Sequence, residues 1–198
     1  MRILSPSSTH RLLATIPTRS PFGARDHALI RLFAQTGLRV AEMVGLDVGH
    51  VFDQVPRCWL DLLAAACKGH RSRRIPLNEA ARQAIHDLVD FLRMRGFQTR
   101  ADSPLLQDRR HRRLPIREVQ RLVQHYRQAA GLDLRVTPHT FRHSWASQLA
   151  RHTSLRVVQQ LLGHRFLVST EVYLHTQPEQ LVEAVASLDD RLPLLGLP

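Results

Sequence analysis

Apolar residues recur along most of this chain at intervals of three and four, the spacing that gives one apolar face to an α-helix. Ser5 to Ser8 offer N-cap candidates for a short helix around His10 to Ala14, and Pro17 to Gly23 reads as a loop. From Ala24 to Gln35 the residues Ala28, Leu29, Leu32 and Phe33 follow helical spacing, and Gly37 supplies a C-terminal stop. A second short helix, Val40 to Leu46, follows at once.

Between Val51 and Pro76 the helical period is lost. Cys58 to Leu62 predicts a strand, Lys68-Gly69-His70-Arg71 a turn, and Arg73 to Pro76 a returning strand. Asn78 caps a predicted helix to about Arg95, with Ala81, Ile85, Leu88, Val89 and Leu92 on one face and Gly96 closing it. Residues 98 to 114 form a polar, basic connection. Pro115 then opens an amphipathic helix through Val119, Leu122, Val123 and Tyr126, ending near Gly131, in which Tyr126 serves packing. Pro138 suits the first turn of the next helix, and shorter helices are expected over 140–150, 154–162, 168–175 and 178–189. The pattern predicts a mainly α protein with a small antiparallel β-sheet, an α+β fold in one compact unit.

Composition narrows the function. Lys and Arg total 28 against 17 Asp and Glu, a formal net charge of +11, which suits a polyanionic partner. Cys58 and Cys67 do not form a paired spacing, so neither a zinc site nor a disulfide framework is expected and a reducing cytoplasm is. No apolar run has the length of a signal peptide or membrane span, which predicts a soluble, unsecreted protein. Arg109, Arg110, Arg112 and Arg113, around His111, make a dense basic cluster that is either a solvated loop or a set of phosphate contacts.

Five segments carry the candidate chemistry: Thr36-Gly37-Leu38-Arg39-Val40-Ala41-Glu42, Lys68 to Leu77, His139-Thr140-Phe141-Arg142-His143, Leu161-Leu162-Gly163-His164, and Ser169 to His175 with Tyr173. In this order they resemble the signature boxes of the tyrosine recombinases, or phage integrases, over about residues 4 to 178. The resemblance implies the catalytic-domain fold of that family over 1–178, followed by a C-terminal helix and tail over 179–198. It implies an enzyme that cleaves and rejoins double-stranded DNA through a 3′-phosphotyrosyl link, with no metal or nucleotide cofactor. Strand exchange would use four protomers on two DNA sites. Only about 20 residues precede the helix leading into Arg39, so the separate DNA-clamping domain common in the family is not expected here.

Elementary chemistry assigns the parts. Opening a phosphodiester without a metal requires cationic donors on the nonbridging oxygens, an in-line nucleophile and a proton for the departing alkoxide. Arg39 and Arg142 suit the phosphate clamp, because a guanidinium donates parallel hydrogen bonds and keeps its charge at any working pH. His139 lies three residues before Arg142, on the same helical face. By resemblance it assists proton transfer or orients the phosphate, and His164 donates a further hydrogen bond. His139 and His143, at i and i+4, also fit a metal pair, although Thr140 stands where the zinc-protease pattern has Glu. Lys68, in the predicted turn, is the expected general acid, and Arg71, Arg73 and Arg74 beside it are expected to contact DNA. Tyr173 is the expected nucleophile. Glu42 either holds Arg39 by a hydrogen-bonded ion pair or makes a simple helical surface pair.

Two other functions fit the same residues: a DNA-binding or regulatory remnant that leaves the chemistry unused, and a relaxing enzyme resembling the type IB topoisomerases. The helix over Gln177 to Leu188, with Leu181, Ala184, Val185 and Leu188 on one face, packs either on its own core or on a neighbouring protomer.

Overall fold

A computed structural model describes residues 3–62 and 72–163. The expected helices at 168–175 and 178–189 lie outside these residues. So do Lys68, Arg71, His164 and Tyr173.

Helix α1 (Pro6–Ala14) begins earlier than its apolar spacing suggests, because the Ser5 hydroxyl accepts the Ser8 N–H at 3.1 Å and Pro6 occupies the first turn. The same device lengthens α2 (Pro21–Thr36): Ser20 caps it by accepting the Gly23 N–H at 3.0 Å, so the expected loop ends sooner. Gly37, at φ 58°, terminates α2 in the left-handed conformation. Helices α3 (Val40–Val44) and α4 (Val48–Val51) follow directly.

The expected small antiparallel sheet is present over Trp59–Leu62 and Arg73–Pro76, and among the described residues a second short ribbon precedes it. Strands β1 (Phe52–Asp53) and β2 (Val55–Pro56) pair about Gln54, a tight reversal with no glycine to mark it in the sequence. Strands β3 (Trp59–Leu62) and β4 (Arg73–Pro76) pair with Leu60 opposite Ile75 and Leu62 opposite Arg73. Side chains alternate across a strand, so Leu60, Leu62, Arg73 and Ile75 turn inward while Trp59, Asp61 and Arg74 turn out.

Helix α5 (Glu79–Met94), capped by Asn78 on the Ala81 N–H, buries Ile85, Leu88, Val89 and Leu92 and packs along α2. The connection to α6 is ordered by more than its polarity suggests. Leu105, Leu106 and Leu114 enter the core, and its backbone pairs with the α3–α4 turn through Val48 N–H to Ser103 O and Leu105 N–H to Leu46 O. Helices α6 (Ile116–Ala129), α7 (Pro138–Leu149) and α8 (Leu155–Leu162) complete the described fold. Phe33 of α2 stacks on Phe141 of α7, with ring centroids 6.2 Å apart, and the Leu4 N–H reaches the Ser144 hydroxyl of α7 at 2.8 Å. Among the described residues no helix is long and apolar enough to cross a membrane.

One polar cluster is built into this core away from the predicted chemistry. Asp26 of α2 is buried and takes Arg25 Nε and Nη2 on one oxygen and the Tyr126 hydroxyl of α6 on the other at 3.0 Å, while Arg25 Nη1 bonds the Gln107 carbonyl. Burial raises the Asp26 pKa against the pull of Arg25, and burial followed by the Asp26 charge raises that of the Tyr126 phenol. Tyr126 thus packs as expected, and its phenol is held protonated.

Gly37 is constrained twice. Its backbone is left-handed, and a β-carbon there would lie 2.3 Å from Cε3 of the Trp145 ring; Gly96, at φ 67°, has open space around it. Gly96→Ala therefore carries the left-handed backbone cost alone, about 1–2 kcal/mol, and Gly37→Ala must also displace Trp145 and costs more. Urea unfolding checks this: the Gly37→Ala midpoint should fall below that of Gly96→Ala at equal slope.

Candidate active site

The turn from α2 into α3 sets the first arginine. Leu38 is fully buried and anchors the turn, and Arg39, extended at φ −69° and ψ 151°, is the N-cap of α3. Three residues on, the Glu42 carboxylate accepts the Arg39 backbone N–H at 2.8 Å on Oε2 and Arg39 Nη1 at 2.9 Å on Oε1. One carboxylate thus caps the helix and holds the guanidinium.

Glu42 is no surface partner. Its side chain is 1% exposed, and Arg73 Nη1 and Nη2 meet its two oxygens at 2.9 and 2.7 Å. Arg73, expected among the DNA contacts, is turned inward by strand alternation: its side chain is 4% exposed and its Nε bonds the Leu161 carbonyl at 2.9 Å. The inward apolar neighbour Ile75, two positions along, was the signal in the sequence for this orientation. Hydrogen bonds from Arg73 and then Arg39 hold the Glu42 pKa below its ordinary value although burial pushes it up, so the group is an anion at neutral pH.

The second arginine comes from α7. Thr137 caps this helix by accepting the Thr140 N–H, and Pro138 fills its first turn. Arg142 is 2% exposed, with Nη1 on the Gly37 carbonyl at 2.7 Å and Nη2 on the Leu162 carbonyl at 2.6 Å. It joins the turn before Arg39 to the end of α8. The last carbonyls of a helix lack intrahelical partners and carry its negative dipole end, which suits cationic donors. Arg73 and Arg142 take two of them, immediately before Gly163 at φ 65° and then His164 in sequence.

His139 is exposed in the first turn of α7, between the buried Pro138 and Thr140. Partial desolvation of its ring, then the charges of Arg142, His143 and Arg39, lower its pKa from the ordinary histidine value. Arg39, His139 and Arg142 therefore share one electrostatic environment, with His139 neutral at pH 7. His143 is buried, with Nδ1 3.2 Å from the Ser147 hydroxyl. Among the described residues, three guanidinium groups gather about one carboxylate in the cluster of Arg39, Arg73, Arg142 and Glu42, a positive balance that suits an anionic ligand.

The remaining basic residues divide. Arg74 is exposed, 3.1 Å from Asp61 and over the Trp59 ring at 5.1 Å. Arg109 and Arg110 are exposed, Arg109 lying over the Phe22 ring at 5.1 Å. Arg112 pairs with Asp108, whose Oδ1 also accepts the Arg110 and Arg112 N–H groups and so shapes the loop. Arg113 holds that loop to the α3–α4 turn, donating to the carbonyls of Val44 and Leu46 and to Asp47.

A sequence profile described as the phage integrase family matches residues 2–180. The chain belongs to the phage integrase family. Its curated relatives include the tyrosine recombinase XerC of Thermodesulfovibrio yellowstonii, 31% identical over 176 residues, covering 86% of this chain and 57% of the relative. Tyrosine recombinase XerD of Neisseria meningitidis is 33% identical over 174 residues, covering 87% of this chain and 58% of the relative. The chain thus spans little more than half the length of these relatives. Solved structures share the fold: XerA recombinase, with a TM-score of 0.73 at 24% identity over 94% of this chain and 65% of that one. XerH recombinase in a pre-cleavage complex with its difH substrate has a TM-score of 0.72 at 22% identity, over 93% of this chain and 53% of that one. The integrase fold expected from the five segments is the fold observed.

Glu42→Gln removes the charge that both arginines face. Leaving the buried Arg73 guanidinium without its counter-charge costs about 3–5 kcal/mol near neutral pH. Because the folded Glu42 pKa is depressed, its contribution is fully present above about 4.5 and is lost as pH falls through the folded value. Thermal melts across pH should show the gap between wild type and Glu42→Gln narrowing toward acid; a constant gap would contradict this account of Glu42.

Proposed function

We propose that this chain is the catalytic domain of a site-specific DNA recombinase that breaks and rejoins duplex DNA through a tyrosyl phosphodiester. The observation that carries this reading is the seating of Arg39 on Glu42 and of Arg142 on the Gly37 carbonyl two residues before Arg39, with a neutral His139 in the field of both.

Each step follows from the residues. The scissile phosphate occupies the cationic site, and the guanidinium groups of Arg39 and Arg142 stabilise charge on its nonbridging oxygens. Tyr173 Oη attacks phosphorus as its proton passes to neutral His139. The bond from phosphorus to the 5′ oxygen breaks, and Lys68 gives that oxygen a proton, leaving a 3′-phosphotyrosyl link and a free 5′ hydroxyl. His164 adds a hydrogen bond to the phosphate. Attack by a 5′ hydroxyl from another strand reverses these transfers and rejoins the DNA. Arg71, Arg74, Arg109 and Arg110 extend the phosphate contacts outward, and four protomers on two duplexes would carry strand exchange. The buried Tyr126, held protonated beside Asp26, is unsuited to the attack, which supports Tyr173 by contrast. The net charge of +11 supports duplex DNA as partner.

The test is covalent capture at low salt on nicked suicide duplexes with randomised arms, read on a denaturing gel. Wild-type protein should form an adduct that Tyr173→Phe loses while still binding DNA. Binding with no adduct would favour a DNA-binding remnant, relaxation of supercoiled plasmid without sequence preference would favour a topoisomerase-like enzyme, and an adduct from Tyr173→Phe would exclude that nucleophile.

The lowered pKa of His139 fixes a pH dependence. A step that needs the neutral imidazole should keep its rate down to about pH 6.5 and decline only below it. His139→Gln should slow single-turnover cleavage by on the order of 10²–10⁴ and remove that acid limb. An acid limb retained in the variant would assign it to another group.

A further inference from the structure

We propose that Arg73 is a positioning residue of this active site, setting the guanidinium of Arg39 through Glu42 and fixing the end of α8 through Leu161. The inference rests on the recombinase reading above and adds to it a residue that itself need not touch DNA.

Three observations carry it. Glu42 meets two guanidinium groups with the same two oxygens: Oε1 takes Nη1 of Arg39 and of Arg73, and Oε2 takes the Arg39 backbone N–H and Arg73 Nη2. With the Arg73 fork on both oxygens, the carboxylate plane is set, and so is the direction from which Arg39 is held. Second, Arg73 Nε points elsewhere, to the Leu161 carbonyl, beside the Leu162 carbonyl that holds Arg142. One planar side chain thereby links the α3 turn with the α8 terminus that precedes His164. Third, the backbone leaves room for this: Gly163 lies against the Arg73 stem, where a β-carbon would come within 3.0 Å of Cδ.

The chemistry requires arginine. A lysine ammonium reaches Glu42 but cannot present parallel donors to both oxygens together with a third donor in the same plane directed at Leu161. Arg73 is also the first residue of β4, five positions after Lys68 in sequence, so the strand following the proposed general acid begins at a residue tied to the phosphate clamp.

The test compares full-length wild type, Arg73→Lys and Arg73→Gln, each at a temperature where melts show it fully folded. Read-outs are DNA affinity, single-turnover covalent capture at saturating nicked duplex, and the Arg39 Nε–Hε NMR resonance, assigned through Arg39→Lys. Expected are affinities within about threefold of wild type, capture slowed on the order of 100-fold as for a catalytic group displaced by about 1 Å, and a shifted or averaged Arg39 resonance in both variants. A purely structural Arg73 predicts a lower melting temperature with capture unchanged once folded, and that result would overturn the proposal. Loss confined to affinity would overturn it too. If wild type forms no adduct, the recombinase reading fails separately, and an unchanged Arg39 resonance in Arg73→Lys would still sink the positioning role.

Discussion

A single buried carboxylate, that of Glu42, organises the candidate active site. Glu42 is a buried anion, where an isolated charge would be costly, and two arginines with one backbone N–H compensate it. The compensation works in both directions. The ionised Glu42 offsets the burial of the Arg73 guanidinium, and the same carboxylate holds the partly exposed Arg39. The arrangement trades burial cost for geometry, the use for which buried ion pairs are best suited.

Around that pair the described residues supply backbone acceptors. Arg142 rests on the carbonyls of Gly37 and Leu162, and Arg73 on that of Leu161. A carbonyl orients a guanidinium without neutralising it, so the site keeps its positive charge for an anionic ligand. The ends of α2 and α8 provide these acceptors because both helices stop at left-handed glycines, Gly37 and Gly163, leaving terminal carbonyls unpaired within the helix. The cluster of Asp26, Arg25 and Tyr126 repeats the chemistry as scaffold, where an acid neutralises its arginine outright and a phenol closes the network between α2 and α6.

Much of this was legible before any coordinates. Helical spacing located α2, α5 and α6, and Asn78, Pro115 and Gly37 marked ends that the structure reproduces. The missed elements are short: α4 and the hairpin about Gln54 are too brief to show a period. The connection at 98–114 reads as polar because its arginines dominate the composition, whereas three leucines and backbone pairing order it. The basic cluster there fits either a solvated loop or phosphate contacts by sequence, and in the structure it divides. Arg113 and Arg112 are engaged in building the loop, and Arg109 and Arg110 face outward.

The sequence by itself determined the family and the longer helices and singled out the candidate residues for the chemistry, because those follow from local periodicity, caps and short motifs. Tertiary structure alone decided which partners those residues have. Whether Glu42 made a surface pair or a buried one depended on strand β4 arriving from thirty residues away with Arg73 on its inward face. Whether Arg142 joined Arg39 depended on the Gly37 carbonyl meeting α7 across the core. Such contacts arise when separate elements pack, and long-range packing leaves no fixed spacing in the chain to read.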